Sequence, residues 1–171
     1  LTHGHEVWWA LLPGSRALLR RIGRGVDVLT YLGGFTRAQV ARALDPRDLG
    51  KLVRLAPGVD PDVFHPDVDG SAVRDRYGLG EAPVVLCAAR LVPRKGVDTL
   101  IRAMPLVRER VAGARLLVVG QGPDERRLRA LAARTGQDGA VVFAGGHPHA
   151  ELPAFFAAAD VFAMPSRTRR L

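Results

Sequence analysis

Arg90 and Lys95 stand five residues apart in Arg90-Leu91-Val92-Pro93-Arg94-Lys95-Gly96, between a short apolar run and a helical pattern. The chain has 25 Lys and Arg residues, and only Lys51 and Lys95 among them are lysines. Lysine is a compact point charge and arginine a planar fork. A lysine at position 95, in a chain that otherwise uses arginine, therefore suggests that geometry matters there. An anion held between the run and the helix would meet two fixed cations, free backbone N–H groups and the positive end of the helix dipole. Gly96 would let the backbone come close. Phosphate is the obvious candidate ligand; a solvated basic loop at a helix end is the alternative.

Two more loops could serve the same chemistry. Gly120-Gln121-Gly122-Pro123-Asp124-Glu125 joins a strand pattern to a helix pattern, but Glu125 stands where a dinucleotide fingerprint needs its third glycine. Gly145-Gly146 follows another strand pattern and could present backbone to a nucleobase. Each pair could equally be a tight turn. His3, His5 and Glu6 make no complete metal-ligand set. His147 and His149 flank Pro148 and read as a solvated loop. His65, before Pro66, reads as a linker residue. Asp60-Pro61-Asp62 and Asp67-Val68-Asp69 mimic an Asp-x-Asp metal motif, but their breaker-rich surroundings favour turn chemistry.

The elements that must position these residues alternate between strand and helix. In the first region, helices are expected over 13–23 and 36–44, and strands over 26–31 and 51–56. Residues 57–82 are rich in Asp, Pro and Gly and read as a linker with one helical turn around 73–77. In the second region, strands are expected over 83–89, 115–119, 140–143 and 160–164, and helices over 97–111, 124–135 and 150–159. Val97, Leu100, Ile101, Met104 and Val107 form one helical face. Pro105 should kink that helix. This alternation implies an α/β chain with parallel sheets and helices on both faces. Ligands of such sheets bind past the carboxyl ends of the strands, which is where Arg90 falls.

At 171 residues, 47% of them hydrophobic, the chain can hold one good core or parts of two domains. The net charge of +8 comes almost entirely from arginine; it reads either as an anion-binding signal or as a compositional bias. The single cysteine, Cys87, excludes an intramolecular disulfide and fits a reducing compartment. No run of 18 apolar residues is present, so no spanning helix is expected. Trp8 and Trp9, with Arg16, Arg20, Arg21 and Arg24, could touch an anionic lipid surface or be a core pair beside a solvated basic helix.

Three segments carry a resemblance: Arg90-Leu91-Val92-Pro93-Arg94-Lys95-Gly96, Leu117-Val118-Val119-Gly120-Gln121-Gly122-Pro123 and Ala158-Ala159-Asp160-Val161-Phe162-Ala163-Met164-Pro165-Ser166. Together they resemble the nucleotide-binding domain of retaining GT-B glycosyltransferases of family four. Thr2-His3-Gly4-His5-Glu6, Leu12-Pro13-Gly14-Ser15-Arg16, Val26-Asp27-Val28-Leu29-Thr30-Tyr31, Gly58-Val59-Asp60 and Met164-Pro165-Ser166-Arg167-Thr168-Arg169 are similar to the narrower actinobacterial branch of phosphatidylinositol mannoside mannosyltransferases, which use GDP-mannose. The resemblance implies that Arg90 and Lys95 hold the donor diphosphate and stabilise the departing nucleotide. It implies that His3 faces the donor sugar and that Gly96, Gly145 and Gly146 lie against the donor. It implies retention of configuration through an oxocarbenium-like state without a protein nucleophile, and no required cofactor or divalent metal. A lipid acceptor at an anionic membrane surface is implied, on the cytoplasmic inner face of the plasma membrane, and no nucleic-acid partner.

On this resemblance residues 1–62 correspond to the C-terminal part of an acceptor domain, 63–82 to a hinge, and 83–171 to the nucleotide-sugar domain. Both Rossmann-like domains of the GT-B fold are then incomplete. The family's Glu-x7-Glu motif would lie beyond Leu171, and both ends read as cut edges. The 171-residue chain alone is therefore expected to lack catalytic competence even where its parent is active. Two alternatives stand beside this reading: a sister transferase with a UDP-sugar donor and another acceptor, and a non-catalytic, truncated nucleotide-binding remnant.

Overall fold

The computed structural model describes residue 10 and residues 12–167. The chain forms two compact units, Leu1–Val59 and Asp60–Leu171. In the first, helix α1 (Pro13–Gly25) precedes strand β1 (Leu29–Tyr31), helix α2 (Gly34–Ala41) and strand β2 (Leu52–Arg54). Pro13 opens α1, where a missing N–H costs nothing. The two strands pair in parallel, Leu29 beside Leu52 and Tyr31 beside Arg54, with α2 as the crossover. Leu29, Val40 and Leu44 are buried together.

The second unit carries helix α3 (Ser71–Arg76), then β3 (Val84–Ala88), α4 (Val97–Arg110), β4 (Arg115–Val119), α5 (Glu125–Arg134), β5 (Val141–Gly145), α6 (Leu152–Ala157) and β6 (Val161–Phe162). Its four strands are all parallel, in the order β5-β4-β3-β6. Successive residues of a strand face opposite sides, and both sides here are covered. Cys87, Leu116, Val118 and Val141 pack under Ile101 and Met104 of α4 and Leu128 and Leu131 of α5. On the other face, Val84, Leu86, Leu117 and Val119 pack with Val73, Leu79, Phe155 and Ala158. Burial on both faces is why β3 and β4 read as unbroken apolar runs.

Residues 60–82 pack with this second unit. Gly70 lies directly against the backbone of Ala157 and Ala158, with no room for a side chain. The Asp-x-Asp pairs act as turns: Asp60 accepts from the N–H of Asp62 at 3.0 Å, and Asp69 from the N–H and hydroxyl of Ser71, both at 2.8 Å. Helix α4 passes through Pro105 and continues to Arg110. The proline withholds one backbone bond there without ending the helix. Asp160 joins the start of β6 to the start of β3, accepting the N–H of Val84 at 2.7 Å and pairing with Arg74 at 3.4 Å.

Candidate functional site

The strand order turns back on itself at β3. From there the chain builds outward through β4 and β5, then returns to lay β6 on the other side of β3. Open parallel sheets leave a crevice past the strand ends at such a point. The single connection from β3 to α4, residues 89–96, carries both predicted cations away from it as two consecutive loops.

The first loop follows β3. Its path is set by backbone contact with the loop after β4. The N–H of Leu91 donates to the carbonyl of Gln121 at 3.0 Å, and that of Asp124 to the carbonyl of Leu91 at 3.1 Å. Gly120, at φ +130°, and Gly122 lie directly against the carbonyls of Ala89 and Leu91, so a Cβ at either would strike backbone. The Gly-x-Gly pair therefore seats the Arg90 loop. Arg90 is exposed and opens onto a cleft of about 630 Å³, lined also by Ala89, Gly120, Gln121, Gly146 and His147. Gly145 ends β5 at φ +81°, beyond an irregularity where Val118 pairs Phe143 but Val119 pairs Gly145. This bulge turns the end of β5 and brings Gly146 to the cleft.

The second loop is the 3-10 turn Pro93–Lys95, closed by Gly96 in the left-handed conformation at φ +71°. It lies against the segment after β6. The carbonyl of Pro165 occupies the place a Cβ of Gly96 would take. The Nζ of Lys95 sits 3.7 Å from the Sδ of Met164. Lys95 and Gly96 therefore flank the β3–β6 crevice, while Arg90 and Gly146 meet in the cleft above β3, β4 and β5. His3 lies outside the described residues, as do His5, Glu6, Trp8 and Trp9.

Several of the described cations are paired with carboxylates, and Arg90 and Lys95 are not among them. Arg20 and Arg24 converge on Asp45, Arg102 and Arg167 on Asp98, Arg127 on Asp124, Arg129 on Glu125 and Lys51 on Asp48. Among the described residues, neither Arg90 nor Lys95 has a carboxylate partner. The positive potential at the crevice is thus left for a ligand. Asp124 is held below the usual carboxylate range by its hydrogen bonds to Arg127, and Arg127 is raised in return. Burial pushes the Cys87 thiol up to about 11, against a smaller opposing pull from Lys95; this thiol is no nucleophile. Among the described residues, no three His, Cys, Asp or Glu side chains converge to hold a metal ion.

His147 departs from the expected solvated loop. Its side chain is 7% exposed. Nδ1 lies 2.7 Å from a Glu151 carboxylate oxygen, and Nε2 lies 3.0 Å from the Tyr77 hydroxyl and 3.2 Å from the Ala144 carbonyl. Its ring packs on Phe155 at 4.5 Å between centroids. Tyr77, His147 and Glu151 thus brace the turn that carries Gly146. The i,i+4 spacing of His147 and Glu151 is visible in the sequence; Tyr77, 70 residues earlier, is not. His149 is exposed, tilted against Phe64.

Residues 72–169 match the family model described as glycosyl transferases group 1. Over 169 residues, 98% of this chain, the sequence is 53% identical to the GDP-mannose-dependent alpha-(1-6)-phosphatidylinositol monomannoside mannosyltransferase of Mycobacterium tuberculosis H37Rv. It is 46% identical to the monoacylated-substrate counterpart of Corynebacterium glutamicum. The chain spans 43% of the length of the first and 44% of the second. Among solved structures, Anabaena HepE in complex with UDP and glucose superposes with a TM-score of 0.76 at 20% identity, over 90% of this chain and 42% of that one. The α/β fold, with two parallel sheets flanked by helices, agrees with a GT-B arrangement of Rossmann-like domains. No helix among the described residues is long and apolar enough to cross a membrane.

Proposed function

The chain belongs to the group 1 glycosyl transferases, a GT-B family, and from that premise we propose that the protein carrying it transfers mannose from GDP-mannose to a phosphatidylinositol mannoside with retention of configuration. The observation that carries this reading is the pair of cations without carboxylate partners at the strand-order reversal, Arg90 and Lys95. When the bond between the anomeric carbon and the diphosphate breaks, negative charge collects on the departing GDP and positive charge on the sugar ring. The backbone that carries Arg90 and Lys95 is set before the reaction by its contacts with the loop after β4 and the segment after β6, so both charges are directed at the departing group. The backbone of Gly145 and Gly146 faces the base, and Gly96 lets the diphosphate approach the turn. For the donor sugar, the family resemblance nominates His3. No step calls for a divalent metal. The acceptor is a lipid, met at the anionic inner face of the plasma membrane by a protein bound peripherally; the likeness to lipid-modifying relatives supports this.

The test is titration of the full-length protein with GDP and UDP, followed by turnover of each nucleotide-mannose or nucleotide-glucose donor. GDP is expected to bind and UDP to compete poorly. Arg90→Ala and Lys95→Ala should each weaken GDP about 10- to 100-fold, the worth of a charge-assisted hydrogen bond. Preference for UDP would return the sister transferase with another donor. Nucleotide binding without donor consumption would return a non-catalytic module.

A further inference from the structure

Met164-Pro165-Ser166-Arg167 forms a strap that touches the Lys95 turn at successive points. The Sδ of Met164 meets Lys95 Nζ, and the Pro165 carbonyl lies on Gly96. The N–H of Arg167 donates to the Arg94 carbonyl at 2.8 Å. The Arg167 guanidinium reaches the Asp98 carboxylate at 3.0 Å. Asp98 lies in the first turn of α4, three residues after Lys95, and is only 4% exposed. Its other partner, Arg102, is a largely exposed neighbour one turn along α4, at 3.2 Å.

A buried carboxylate draws in the cations within its reach. Without Arg167, Asp98 keeps only the largely exposed Arg102 at 3.2 Å, and Lys95, three residues earlier on a flexible four-carbon stem, is placed to supply the second cation. Asp98 would then compete directly with an incoming phosphate for that ammonium.

We propose that Arg167 is a positioning residue for Lys95: by occupying Asp98 it keeps the ammonium unpaired and available to a diphosphate. This rests on the reading of the crevice as a nucleotide-sugar site. It assigns Arg167 an effect that passes through Asp98, with no contact to the ligand.

That path has a signature which simple structural damage lacks. In the full-length protein, Arg167→Ala should weaken GDP about tenfold, within the range of couplings between touching residues, and raise the donor KM more than it lowers kcat. Asp98→Asn should bind GDP within about twofold of wild type. The double variant should recover to within about threefold, because no carboxylate remains to capture Lys95. Arg167→Lys, which keeps a cation on Asp98, should retain affinity. Arg167→Met replaces the alanine variant if that one unfolds. A double variant as weak as Arg167→Ala, or an Arg167→Ala protein that binds like wild type, overturns the proposal.

A second measurement needs no ligand. The acylation rate of Lys95 by an N-hydroxysuccinimide ester, followed on its peptide by mass spectrometry, should fall several-fold in Arg167→Ala and recover in the double variant. An ion-paired ammonium gives up its proton less readily. Unchanged acylation overturns the proposal whatever the nucleotide results. Wild-type protein that binds neither GDP nor UDP overturns the functional reading instead, and leaves the acylation series to decide the pairing.

Discussion

Gly96→Ala tests whether the segment after β6 holds the Lys95 turn in place. Two costs add at this position. The first is conformational: an L-residue at φ +71° loses roughly 1–2 kcal/mol relative to glycine. The second is steric: the new methyl falls on the Pro165 carbonyl, which is backbone and must move; overpacking of this kind costs about 1–3 kcal/mol. A less flexible unfolded chain returns roughly 0.4–1 kcal/mol. The net loss is then about 2–3 kcal/mol, or ~8–12 °C in Tm at ~4 °C per kcal/mol. Gly113, in the turn between α4 and β4, is the internal control. It sits at φ +77° with nothing within 4 Å of an added Cβ. Gly113→Ala therefore carries the conformational cost alone, about 1 kcal/mol net, and should leave nucleotide binding intact. Differential scanning calorimetry and GDP titration on both variants separate the two costs. Equal melting losses, or full GDP affinity in Gly96→Ala, would refute the strap as the element that holds the turn.

Three further expectations follow from contacts described above. Asp124 has its carboxyl lowered by Arg127, so its stabilising contribution is present above the unfolded value near 3.8 and fades as pH falls through the lower folded value. Asp124→Asn should start less stable at pH 7 and lose less on acidification below pH ~4, read from urea midpoints across that range. Tyr77→Phe keeps the ring on Phe155 but removes the hydroxyl from His147, and should cost about 1 kcal/mol in urea unfolding; no loss would show the brace to be idle. Cys87, fully buried with its thiol raised to about 11, should resist a thiol-exchange reagent at pH 8 in the native protein and react at once in urea; fast native labelling would show that β3 opens.

Where a segment buries itself by its own periodicity, the sequence reading and the structure agree closely. The strand at 115–119 and the face formed by Val97, Ile101 and Met104 are of this kind. The place of Arg90 and Lys95 between β3 and α4 was legible because a strand end, a glycine and a helix start bracket them locally. The segment 57–82 was legible only in part: the helical turn expected around 73–77 falls on α3, but the Asp, Pro and Gly content hides the burial of Val73 and Leu79 under partners far along the chain. The two glycine pairs looked alike in sequence. In the structure, Gly120 and Gly122 yield to the carbonyls of Ala89 and Leu91, while a Cβ at Gly145 would meet open space. His147 and Arg167 had partners 70 and 69 residues away, so no local pattern could announce them.

The Met164–Arg167 strap also has a consequence for synthesis. A chain leaves the ribosome from its N-terminus, and β3, α4 and β4 can begin to pair once residue 119 has emerged. At that stage Arg90 and Lys95 already exist, but the turn between them lacks the segment that closes it. Closure waits for β6, which must cross back over two strands already laid down. Non-local pairings of this kind are the slow steps of folding. The geometry proposed to bind phosphate is therefore among the last features to form, and nascent chains halted before residue 164 should carry both cations without the segment that closes the turn.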